Sequence, residues 1–62
     1  MNIEQVKKIK TKEEARQLAI DWQNWASNKA LSYEELNEWQ NEFERLGQEF
    51  NLIEEFKENG II

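Results

Sequence analysis

Thirteen carboxylates, two serines and no histidine or cysteine set the limits of the chemistry open to this chain. Nucleophilic catalysis needs a hydroxyl or thiol beside a general base, most often an imidazole. Ser27 and Ser32 have no such base, and Ser32 stands where a helix cap is needed. Paired carboxylates alone can do acid–base work. That work calls for a concave, water-poor pocket, commonly about 300 Å³ or larger. A chain of 62 residues leaves little room for one. The expectation is a non-enzymatic protein with no catalytic residues, no cofactor and no metal site. Glu34, Glu38 and Glu42 recur at i, i+4 and i+8. They form an acidic stripe able to meet a basic partner, but nothing resembles the glycine-hinged loop of a calcium site. A solvated helix face, with Arg45 relieving Glu42 and Glu49, accounts for the stripe more simply.

The basic residues are placed unevenly. Lys7, Lys8, Lys10 and Lys12 stand against Glu4 alone, while the rest of the chain carries twelve acids against Arg16, Lys29, Arg45 and Lys57. The formal charge of −5 disfavours nonspecific contact with nucleic acid. The four lysines are the one route to a nucleic-acid-associated role, by phosphate contacts. A helix–turn–helix reader is disfavoured, because the second helix is acidic where a recognition helix needs Arg or Lys. Trp22, Trp25 and Trp39 can in principle stack bases. Their neighbours are Asp21, Glu38 and Glu42 rather than basic residues, so core packing is the better reading.

These side chains must be positioned by helices. There is no proline, and Glu, Lys, Gln, Leu and Ala abound. Leu36, Trp39, Phe43, Leu46, Phe50 and Ile53 recur at a 3,4 spacing, the seam of an amphipathic helix. Ser32 and Glu35 form a capping box at its start, with Leu31 and Leu36 as a flanking staple. Thr11 and Glu14 form a second box. Behind it Ala15, Leu18, Ala19, Trp22, Trp25 and Ala26 cover an arc of about 120° at 100° per residue. This helix is expected over Lys12 to Asn28. Ile20 falls on its polar side, where the N-terminal turn can cover it. Asn2 and Gln5 have the same capping spacing before Ile3, Val6 and Ile9, which predicts one or two turns ordered by docking. Gly47 is expected to end the second helix, with Asn51 capping a short third one and Gly60 closing it. The link from Asn28 to Ser32 is short, so the two long helices pack antiparallel. The fold class is all-α: one domain over residues 1–62, an antiparallel αα-hairpin with short terminal helices.

So short a chain buries only about 60% of the surface that it exposes when unfolded. Without disulfides, its support must come from aromatic packing or from a partner. Pairing of two hairpins into a four-helix homodimer is one solution. No apolar run is long enough to span a membrane. No signal-peptide core is present, and cysteine is absent, so the expected location is cytoplasmic.

The tail, Leu52-Ile53-Glu54-Glu55-Phe56-Lys57-Glu58-Asn59-Gly60-Ile61-Ile62, carries two isoleucines after a glycine, where chain ends are normally polar. An apolar patch at Phe50, Phe56, Ile61 and Ile62, rimmed by Glu54, Glu55 and Glu58, is the expected protein-binding surface. The tail resembles the ending of small uncharacterised bacterial proteins, some of phage or other mobile-element type. That resemblance implies no catalytic or binding residue. It implies a small accessory or regulatory protein. The functional expectation is a small acidic protein–protein interaction or regulatory module, binding another protein or itself. The alternative is a nucleic-acid-associated accessory using the four lysines.

Overall fold

A computed structural model describes all 62 residues. It contains a 3-10 helix over Ile3–Lys8 and three α-helices: α1 (Lys12–Ala26), α2 (Tyr33–Phe50) and α3 (Ile53–Glu58). There is no strand, and no helix is long and apolar enough to cross a membrane.

Three capping boxes start three of these elements. Asn2, Thr11 and Ser32 each accept from a backbone N–H of the first turn, while Gln5, Glu14 and Glu35 reach back to the cap. Each box satisfies donors that a helix start otherwise leaves unpaired. α1 ends at Ala26, two residues short of the expected Asn28, where Ser27 Oγ and Asn28 Nδ2 both donate to the Asn24 carbonyl. Such side-chain bonds compete with the helical ladder.

α1 and α2 pack as an antiparallel hairpin, and the ring pairs record its direction. Trp25 meets Trp39 with centroids 6.2 Å apart, while Trp22, one turn earlier, meets Phe43, one turn later, at 5.3 Å. Trp22 also touches Trp39 at 6.1 Å. Phe43 carries the chain of rings into α3 through an edge contact with Phe56 at 5.7 Å. Each such pair contributes about 0.5–1.5 kcal/mol beyond its buried area. Trp22 and Trp39 are buried and Trp25 is half-buried, so the tryptophans serve the core.

Gly47 does not end α2. It lies inside the helix, buried, because α3 folds back and seats Ile53 on it. The break comes four residues later at Asn51, which takes the left-handed conformation with φ 59°. The Leu52 N–H then reaches back to the Gly47 carbonyl at 2.7 Å. This is the six-to-one bond of a Schellman ending, with asparagine in the position glycine usually fills. Asn51 therefore closes α2 and does not cap α3, whose N-cap is Leu52 with no side-chain bond. Gly60 repeats the device at the end of α3. Its φ is 73°, its N–H reaches Lys57, and the Ile61 N–H reaches Phe56 at 2.8 Å.

The 3-10 helix lies on one side of the hairpin and α3 on the other. Gln5, Lys8 and Ile9 share a groove with Glu14, Gln17, Leu18 and Asp21 of α1. Across the segment, Ile3, Glu4 and Lys7 share a second groove with Glu38, Asn41 and Glu42 of α2. The opposite side of α1, with Arg16, Ala19, Ile20 and Gln23, faces α3. Ile20 is thus not covered by the N-terminal turn and stays 53% exposed.

Candidate interaction surfaces

The tail forms no apolar patch. Phe56 is 1% exposed and Ile61 2%. The Schellman turn causes this: it brings Ile61, just past the glycine, back over the residue three from the helix end, Phe56. Phe50 and Ile62 are half-buried against the same core. The expected docking surface is a correction in these residues, since their apolar area is spent on the chain itself. Of the expected rim, Glu54 and Glu58 are exposed. Glu55 is held by Arg16, with Nε–Oε2 at 2.9 Å and Nη2–Oε1 at 3.0 Å.

Arg16 also reaches Glu13 at 3.0 Å, so one guanidinium joins α3 to the first turn of α1. The Glu55 hydrogen bond is the main cause that raises the Arg16 pKa above its ordinary value, with the neighbouring charges adding to it against a desolvation penalty. A raised pKa keeps the cation, and the stability drawn from it, at every pH below that value. Beside the pair, Gln23 Nε2 donates to the Asn59 carbonyl. The groove between them holds about 180 Å³ and is floored by Ala19, Phe56 and Ile61. It is a seam stitched by polar bonds rather than an open receptor.

The acidic stripe divides. Glu42 is tied to Arg45 at 3.0 Å, and Arg45 also reaches Glu49 at 3.4 Å. Glu34 and Glu38 are exposed and take part in neither the ion pairs nor the side-chain hydrogen bonds of the fold. No three acidic side chains converge as a metal cage would need.

The four lysines do not gather into a patch. Lys7 pairs with Glu4 at 3.5 Å and lines the groove of Glu38 and Glu42. Lys8 lines the other groove, with Glu14 and Asp21. Lys10 and Lys12 are exposed on the connection into α1. Two of the four thus stand beside carboxylates, which weakens any attraction for phosphate.

What the fold assembles instead is a cleft. Its banks are Glu14 and Asp21 on α1 and Glu38 and Glu42 on α2. Its occupant is the 3-10 helix, a strap whose only buried side chain is Val6, 1% exposed, with Ile3 and Ile9 half-buried beside it. Six residues of 3-10 helix have little stability of their own. The Ile3, Val6, Ile9 spacing is legible in the sequence. The acids that flank it are not, because in sequence each belongs to an ordinary solvated helix face. A second exposed area lies at the hairpin end. There Tyr33 and Leu36 are exposed, Trp25 is half-buried, and Lys29 Nζ sits 6.0 Å from the Trp25 ring.

No protein-family model, no curated protein and no solved structure matches this chain.

Proposed function

We propose that the chain is a small, acidic, non-enzymatic protein–protein interaction or regulatory module, and that it works through the face of the hairpin now covered by the strap. The observation that carries this reading is the cleft itself. Two helices each contribute two carboxylates to a channel whose cover is anchored by one buried valine. Charged banks around an apolar floor suit a docking surface, with the apolar floor supplying affinity and the banks supplying orientation. The tail's likeness to small bacterial and mobile-element proteins supports an accessory role. The partner is another protein or a second copy of the chain.

Site-specific photo-crosslinking in cells tests the reading. A photoreactive side chain at Gln17, on the α1 bank, is compared with one at Lys57 on α3. The reading expects adducts to a protein chain from Gln17 and far fewer from Lys57. Adducts from Lys57 alone, or from neither, contradict it. Adducts to nucleic acid that require Lys7, Lys8, Lys10 and Lys12 would put the nucleic-acid-associated reading in its place.

A further inference from the structure

We infer, resting on that reading of the cleft, that its partner is a basic amphipathic α-helix of another protein, and that residues Ile3–Ile9 are a strap which this helix displaces. The strap is the template. It places Ile3, Val6 and Ile9 on the side that packs against the core and carries Lys7 and Lys8 into the acidic grooves. The ligand chemistry that the cleft already accepts is therefore on display: apolar residues about one turn apart, with cations beside them.

The strap underfills its place. Open grooves of about 300 Å³ and about 240 Å³ remain along its two sides. A 3-10 helix is wound more tightly than an α-helix, whose side chains span about 10–12 Å. An α-helix in the same place would fill both grooves and bring its own cations against Asp21 and Glu38. Neither of these carboxylates has a cationic partner within the fold. The charge argument also selects the class of partner. A second copy brings a further −5, and nucleic acid brings phosphates, so both meet the acidic banks with like charge.

The connection allows displacement. Ile9 has φ −74° and ψ 125°, and Thr11 has φ −131° and ψ 159°, so the strap joins α1 through extended backbone outside any helix. Releasing it breaks neither the α1–α2 ring contacts nor the α3 seam. A cleft that is mostly covered binds with an affinity reduced by the open fraction, so the strap acts as a built-in competitor.

The test uses the full chain and three synthetic peptides of about fifteen residues, long enough for helix formation on binding. All share leucines at i, i+3, i+4 and i+7. The remaining positions are lysine in one, glutamine in the second and glutamate in the third. Binding is read by tryptophan fluorescence, and release of the strap by the Val6 methyl resonances. The lysine peptide is expected to bind, to move those resonances to unfolded-like positions, and to lose affinity in Asp21→Asn/Glu38→Gln. Val6→Ser is expected to tighten binding about tenfold or more by opening the cleft. Since Val6→Ser also risks unfolding the chain, a second arm holds the strap shut. Lys7→Cys and Asn41→Cys, which line one groove, are joined by a short thiol cross-linker. That chain is expected to lose binding. Equal binding of all three peptides overturns the basic partner while leaving the cleft reading intact. Undiminished binding to the cross-linked chain overturns displacement. Binding by none of the peptides overturns the inference as a whole, and the crosslinks from Gln17 then decide the underlying reading separately.

Discussion

Ile53 sits on Gly47 so closely that a methyl group built on the glycine would lie 2.6 Å from the Ile53 Cδ1 atom and 3.3 Å from its Cα. The contact sets how α3 folds back over α2. Gly47→Ala gains about 1 kcal/mol of helix propensity. It loses about 1–3 kcal/mol to overpacking. Chemical denaturation should therefore show Gly47→Ala to be less stable than the parent by up to about 2 kcal/mol, the difference of these two effects. Trimming the partner reverses the sign. In an Ile53→Val background, the same Gly47→Ala change should be neutral or stabilising.

Asn51 is the non-glycine residue with positive φ, at 59°. A left-handed residue with a Cβ carries a cost of about 1–2 kcal/mol, from which asparagine is partly excused. Asn51→Ala should lower stability by about 1 kcal/mol, and Asn51→Gly should be neutral or better. Thermal unfolding of the pair checks this. Equal losses in both would mean that the Asn51 side chain, and not its backbone conformation, is what matters.

Ser32 accepts from the Glu35 N–H at 3.2 Å and so fixes the start of α2. Ser32→Ala should cost about 1 kcal/mol, and Ser32→Asp should restore most of it. A neutral Ser32→Ala would place the functional start of the helix elsewhere.

Phe56 and Ile61 belong to the core, and their substitution should read as folding rather than binding. A chain of this size has a total stability of about 3–9 kcal/mol, from roughly 0.05–0.15 kcal/mol per residue. Phe56→Ala costs about 3–5 kcal/mol and Ile61→Ala about 2–5 kcal/mol. Phe56→Ala should therefore lose much of its helical signal at room temperature. A fully folded Phe56→Ala chain would return the tail to consideration as a surface.

The helices were legible because their signals are local. Each capping box lies within four residues, and the Leu36 to Phe50 seam repeats on one helix. The all-α class and the hairpin follow from these. Where reading failed, the deciding contact was remote or depended on shape. Gly47 looks like a helix end until Ile53 is known to rest on it. Asn51 has the types of an N-cap around it, yet the left-handed turn that it makes serves the preceding helix. Ile61 looks exposed until the glycine turn folds it onto Phe56. The cleft was least legible of all. Asp21 and Glu38 stand seventeen residues apart in sequence on different helices, and only the docked strap shows that their faces bank one channel.

The central claim is that the strap, and not the tail, is the part of the molecule able to open toward a partner. Native-state hydrogen exchange separates the two most directly, because local openings and global unfolding leave different free energies at individual amides. The Ile9 N–H bonds to Val6 at 3.3 Å within the strap, and the Ile61 N–H bonds to Phe56 at 2.8 Å within the tail. Ile9 should exchange through a low-energy opening that denaturant scarcely affects, while Ile61 exchanges only with the global unfolding of the core. Ile61 exchanging first, or both amides opening together with the whole chain, would contradict the account.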